Sequence, residues 1–429
     1  MRVCSFLITA ALLTIMLPFN ASHAESDWDA WNYRMPITLT HRTADNAGLV
    51  PVDVTFSLFA DRLTNPENEI RLILKDGSSE KEIPFQLSRL SNWTKNTDGV
   101  RSKASLNGRI TFFDEAKGRG NAEYIILYGN PDAKKPDYPS DLKVSGTAPS
   151  LTIENSKMTV QLHSSGQLGS VTLKNNTSTP ISTERGILHW NPGVFIPTVH
   201  WAHAFDWNPP EVFEIEEGPL YVEIRRSGVF PKIRDVHLAI TYRFFKERSY
   251  VESGTQLRVL DDIGVVALRN DELIFSEHFF SHVAWNDNGQ TMSGKMSDYE
   301  PVNKHGDILR ISDSAPFVTL YNPETRIGAA TIRMELAKLG PNGDPPVLFD
   351  NATYISNGHA LQYWFRPMIY FHVGWDRKQL ITVPEGSLYA ERNLYLFHNG
   401  VVSDVEALSQ AVNSKPSVEI GEYGLPPER

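Results

Sequence analysis

Short runs of alternating apolar and polar residues, each closed by turn-forming residues, recur through this chain and leave little room for a fold not built from strands. From Val52 to Phe59, Val52, Val54, Phe56 and Leu58 fall on one side and Asp53, Thr55 and Ser57 on the other. That is the period of a strand with one buried face. Shorter runs occupy 34–40, 70–74, 83–87, 109–113 and 124–128, with Asp76-Gly77 and Gly129-Asn130-Pro131 as turns. Many short strands with turn signals between them predict a sandwich or small barrel.

A polar, proline-bearing connector at 132–150 separates this region from a longer one. There, strands are expected at 151–154, 158–162, 168–173, 220–228, 236–245, 250–260, 265–268, 317–322, 329–334, 360–370 and 390–397. Long alternating strands of this kind build a wide antiparallel sandwich. One segment, 403–413, reads as a helix: Ser403 can cap it, Val405, Leu408 and Val412 form a face, and Pro416 follows its end. The expected fold is mainly β: a small N-terminal β-sandwich over 25–140, a large antiparallel β-sandwich over 150–400, and a short C-terminal helix and tail over 401–429.

The first 24 residues read differently. Met1-Arg2 is a short basic start, 3–19 is an apolar run, and Ser22-His23-Ala24 offers small residues before Glu25. That is the pattern of a secretory signal peptide, predicting a periplasmic or secreted protein; the run is short beside the roughly 20 residues of a membrane span. The single cysteine, Cys4, lies inside it. The mature chain therefore has no thiol nucleophile, thiolate metal site or disulfide. The formal net charge is −10, with both signs mixed and no basic stripe, which argues against a nucleic-acid partner.

Four patches are candidates for chemistry. In the first, His200, Trp201, His203, Asp206 and Trp207 crowd one irregular segment. A polar site lined with aromatics has this composition, as does a tryptophan-anchored loop whose histidines satisfy backbone groups. The second joins Arg269-Asn270-Asp271-Glu272 to His278, His282 and Trp285; on a strand, His278 and His282 would share a face. The third holds Tyr363, Trp364, Arg366, Tyr370, His372 and Trp375. Period two groups Tyr363, Phe365 and Pro367 on one face and Trp364, Arg366, Met368 and Tyr370 on the other. An arginine between aromatics suits a sugar carboxylate, or stacks inside a sandwich. The fourth is acidic, Asp261-Asp262 and Asp298-Tyr299-Glu300. Such acidic loops are either solvated or hold a divalent cation such as calcium, and the EF-hand pattern is absent. No phosphate loop, dinucleotide fingerprint or Gly-x-Ser-x-Gly elbow is present.

The first domain resembles a β-sandwich module of secreted bacterial surface and carbohydrate-active proteins, through Trp31-Asn32-Tyr33-Arg34, Ile83-Pro84-Phe85-Gln86 and Tyr128-Gly129-Asn130-Pro131-Asp132-Ala133. It carries no catalytic residues with it. The opening of the second domain, from Ile153 to Asn176, is similar to large sandwiches of the galactose-mutarotase and polysaccharide-lyase type, which carry sugars on a concave sheet. The stretches Glu216–Phe230 and Leu238–Val259 resemble the exo-rhamnogalacturonan lyase group in pattern, without an α/α toroid.

That resemblance implies an exported polysaccharide lyase acting on an acidic polysaccharide or oligosaccharide. β-Elimination beside a uronic acid needs the carboxylate neutralised, the C5 proton removed and the leaving oxygen protonated. Arg366 or Arg269 is the candidate neutraliser, His203 or His282 the base, and Tyr363 or Tyr370 the acid. His200, Trp201, Trp207, His278, Trp285, Trp364, His372 and Trp375 are candidate substrate contacts. A non-catalytic glycan-binding protein and a glycoside hydrolase with paired carboxylates are the alternatives. If the three aromatic-rich segments converge, His203, His282 and Arg366 should surround one cleft.

Overall fold

The computed structural model describes residues 28–42, 48–77, 79–93, 96–97, 100–101, 105–116, 120–174, 180–192, 201–302, 306–344, 352–358, 361–370 and 380–422. The expected signal segment, His200, His372 and Trp375 lie outside them, as does the side chain of Tyr370.

The chain is mainly β, as its alternation predicts. The N-terminal module packs a five-stranded sheet, ordered Ser417–Ile420, Tyr33–Arg42, Gly120–Tyr128, Arg71–Asp76 and Ser79–Glu82, against a three-stranded one of Pro51–Phe59, Ser105–Phe113 and Phe85–Trp93. Val52, Val54, Phe56 and Leu58 all enter its core. The quoted motifs at its two ends meet in space: Tyr33 and Tyr128 are register partners whose rings stack 5.3 Å apart. Asn32 donates to the Gly129 carbonyl at 2.6 Å. Gly129 has φ 81° and a Cβ there would lie 2.6 Å from the Tyr33 ring, so both conformation and space require glycine. The C-terminal tail returns to this module, Ser417–Ile420 pairing with Tyr33–Arg42.

The large sandwich has two antiparallel sheets over the described residues. One runs Lys143–Thr147, Ser150–Glu154, Met158–Leu162, Leu168–Leu173, Ile181–Asn191, Ala267–Phe275, Gln362–Tyr370, Thr353–Asn357 and Asp307–Ile311, with Ala202–His203 added on Ile181–Asn191. The other runs Val212–Glu217, Tyr221–Phe230, Ile233–Phe245, Tyr250–Val259, Leu388–His398, Ile327–Leu339, Phe317–Asn322, His282–Asp287 and Gln290–Lys295. One large apolar core fills the space between them. The expected connector is shorter than 132–150, because Lys143–Thr147 already pairs with Ser150–Glu154.

The module docks on the outer face of the second sheet. Gln86, from the middle motif, accepts from the Leu220 and Tyr221 amides at 3.2 and 3.0 Å. Asp53 pairs with Arg243 at 2.8 Å, and Arg243 with Glu252 at 2.6 Å. Burial alone would raise the Asp53 pKa, but Arg243 outweighs it and holds the carboxyl well below its usual range.

The helix spans Val402–Asn413 and buries Val405, Leu408 and Val412, the expected face. Ser403 is not its cap. Val401 holds that position without a side-chain hydrogen bond, so apolar docking rather than capping fixes the helix.

Candidate functional site

The outer face of the first sheet carries a polar cluster made possible by two adjacent bulges. Strict alternation would put Arg269 and Asp271 on one face, Asn270 and Glu272 on the other. Instead the register shifts between Ile187 and Leu188, opposite a shift spanning Asn270–Leu273. Ile187 and Asp271 take φ of 79° and 43°. Asn270 and Asp271 consequently both point between the sheets, while Arg269 and Glu272 share the outer face. A bulge re-aims side chains in this way.

His189 is in register with Arg269 on one side and His203 on the other. Its Nδ1 lies against a Glu272 carboxylate oxygen, and Arg269 donates to Glu272 at 3.1 Å. The His189 and His203 ring centroids are 3.7 Å apart, inclined at 43°. Trp201 lies 4.4 Å from the His189 ring. The Arg269 guanidinium sits between Trp201 and Phe365, at 5.1 and 3.9 Å from their centroids. His203 is braced separately by the turn Ala204–Asp206: its Nδ1 is 3.5 Å from the Asp206 carboxylate, to which Lys232 donates at 2.9 Å.

These groups are nearly withdrawn from solvent, with His189 and Arg269 each 5 % exposed, His203 6 % and Glu272 1 %. Burial pushes the His189 pKa down to about 4, only partly opposed by Glu272. Burial would push Glu272 up, but His189 and Arg269 outweigh it and hold it at about 2. At neutral pH the cluster therefore holds a neutral imidazole against a carboxylate. The proton of His189 belongs on Nδ1, facing Glu272. Its Nε2 then carries a lone pair, and neither that atom nor His203 Nε2 has a hydrogen-bond partner among the described residues. Two imidazoles, each steadied through Nδ1 and buried without a partner at Nε2 among the described residues, can take and return protons.

Tyr363 lies at the margin of this cluster, half-buried with its ring 5.9 Å from that of Phe365. Burial raises its phenol pKa, while Arg269 pulls the other way. Of the sequence candidates, the structure thus brings together His203, Trp201, Arg269 and Tyr363.

The others go elsewhere, and the three patches do not surround one cleft. Arg366 shares the parity expected for it, but that face looks into the sandwich. It pairs with Asp271 at 3.1 Å and with Glu391, and burial pulls its pKa down to about 10. Asp271 also accepts from Trp364 Nε1 at 3.3 Å and Tyr395 at 3.0 Å. Arg366 and Trp364 are therefore interior groups. Trp207 is buried too, with its indole donating to the Val229 carbonyl at 2.9 Å. His282 and Trp285 belong to the second sheet, where His282 meets Tyr321 at 5.3 Å and Trp285 meets Tyr299 at 6.5 Å. His278 does not share a strand with His282, because the strand begins at His282 and His278 is exposed before it. The Asp262 carboxylate accepts from the Glu385 amide at 2.8 Å. Among the described residues no group of three or more His, Cys, Asp or Glu is placed to hold a metal ion.

His189 was not among the candidates read from the sequence. Its signal was the His-Trp dipeptide at 189–190, repeated at 200–201.

No family model matches the sequence, and no curated protein matches it. Solved structures share the fold. A protein in glycosyl hydrolase family 38 from Enterococcus faecalis superposes with a TM-score of 0.52 at 10 % identity over 91 % of this chain. An alpha-mannosidase from Enterococcus faecalis V583 does so with 0.51 at 11 % over the same share. The chain spans just under half of each, 47 % and 46 %. A galactose mutarotase related enzyme from Lactobacillus acidophilus is also similar, at 10 % identity and a TM-score of 0.36 over 58 % of this chain and 97 % of that one.

Proposed function

We propose that this is an exported carbohydrate-active enzyme that performs proton transfer on a glycan at the His189–His203 pair. The observation that carries the reading is the two imidazoles, braced at Nδ1 and, among the described residues, unpartnered at Nε2, beside a guanidinium whose Cζ is 5.1 Å from the Trp201 ring centroid. The architecture it shares with part of a family 38 protein and an alpha-mannosidase supports the substrate class.

Within that class the reaction is elimination next to a uronic acid. His203 takes the proton from the sugar carbon. Tyr363, whose phenol is kept protonated by burial, returns a proton to the leaving oxygen. Arg269 attracts the substrate carboxylate. Glu272 accepts one of its hydrogen bonds, at 3.1 Å.

The test is a screen of acidic polysaccharides with two readouts, the ultraviolet absorbance of an unsaturated uronide and the release of reducing ends. Absorbance that grows with reducing ends supports elimination. Reducing ends without absorbance make the enzyme a hydrolase. Glycan binding with neither signal makes it a binding protein.

A further inference from the structure

The outer face of the second sheet carries a trough of about 530 Å³, away from the histidine cluster. Its floor follows from the register. Ser227, Ala239, Gln256, Ala390 and Ala337 are successive partners across five strands. Four of the five have short side chains, and Thr241 and Gly254 continue the shallow floor in the adjoining row. Four rungs of strand spacing give a length of about 19 Å, enough for a few linked sugar rings.

The rim is polar and held in place. Arg225 pairs with Glu214 at 3.1 Å, and Arg392 with Glu335 at 2.8 Å and Glu252 at 2.7 Å. Arg89 reaches over from the N-terminal module to Glu223 at 3.1 Å, with its side chain 50 % exposed. Each pair sets planar donors beside planar acceptors, the arrangement that vicinal hydroxyls can bridge. The signs are mixed, so the rim offers both donors and acceptors to a glycan. An extended peptide would add to a sheet edge through its backbone. This trough crosses the strands over their faces, where only side chains can recognise a ligand. It also lies at a domain junction, a common place for a binding site.

We propose that the trough is a second glycan-binding site, which holds an oligosaccharide across the strands while the histidine cluster acts on the same class of ligand. The proposal takes the ligand class from the preceding reading, and nothing else.

Native electrophoresis of the full chain, in gels containing polygalacturonate or a mannan, tests it. The wild-type protein should be retarded in at least one gel. Ala390→Tyr, which fills the floor, should raise the apparent dissociation constant about tenfold or more, equivalent to about 1.4 kcal/mol. Arg89→Ala should weaken retardation as well; Glu223 keeps Arg109 and Arg225 as partners, so this variant decides the matter if Ala390→Tyr fails to fold by circular dichroism. Both variants should retain turnover of short oligosaccharides. Migration unaffected by either glycan, wild-type retardation in folded variants, or retardation abolished by His203→Ala alone would each overturn the proposal. Absence of any turnover defeats the enzyme reading and leaves the gel result standing.

Discussion

His189 and His203 face each other across two paired strands with ring centroids 3.7 Å apart, and each imidazole turns its Nδ1 toward a different carboxylate. Burial keeps His189 neutral near pH 7, so that ring stays a proton acceptor beside His203. His203→Ala is expected to lower turnover by about 10²–10⁴-fold, the usual contribution of a positioned base. Glu272→Gln should move the pH–rate profile, because an amide no longer fixes the His189 tautomer. Steady-state kinetics across pH check both. Undiminished turnover in His203→Ala would remove the histidine pair from the mechanism.

Arg366→Ala should act on stability. Asp271 and Glu391 would be left buried without their cation, and breaking such a pair costs about 3–5 kcal/mol. The midpoint of urea unfolding should fall accordingly. Arg366→Met, of similar length, should not rescue it, since both carboxylates remain. A variant as stable as wild type but without turnover would return Arg366 to the candidate site.

The contrast between Arg366 and Arg269 shows what the sequence could carry. Arg366 sits in an aromatic-rich strand and Arg269 in one whose single aromatic is Phe275, yet both look like carboxylate binders. Period two placed Trp364 with Arg366 and Tyr363 with Phe365, as observed, but parity alone does not say which face is the interior. For Arg269 and Glu272 even parity fails, because the shifts at Ile187 and Asp271 re-aim the chain. The strand Ile181–Asn191 was unread for the same reason: its bulge and its burial on both faces break the alternation. Mainly β architecture, by contrast, was legible in the repeated short runs. The convergence of Trp201, His203 and Arg269 is set by long-range pairing, which local patterns do not encode.

Export gives a prediction independent of the site. Protein recovered from the periplasm or medium should begin at Glu25, following the small residue Ala24. Intact-mass spectrometry reads this directly. A mass that includes Met1 in the exported fraction would rule out cleavage there.

Acid should destabilise the protein in a definite window. His398 is 4 % exposed, with Nε2 2.9 Å from the Thr319 hydroxyl. Its ring lies over Gly328, where there is no room for a Cβ. Burial pushes its pKa down to about 4, with a backbone hydrogen bond opposing weakly. The unfolded value is about 6.5. Between those two values the unfolded chain binds the proton and the folded chain does not, so stability rises with pH and is lost as pH falls. The His398 contribution is on the order of 3 kcal/mol, and His189 titrates in the same direction over the same window. The melting temperature should therefore drop between pH 7 and pH 4.5. In His398→Gln, whose amide can still bond Thr319 but does not titrate, the variant's own drop should be smaller, whatever its melting temperature at pH 7. Equal drops in variant and wild type would show that His398 is not the group whose protonation unfolds the chain.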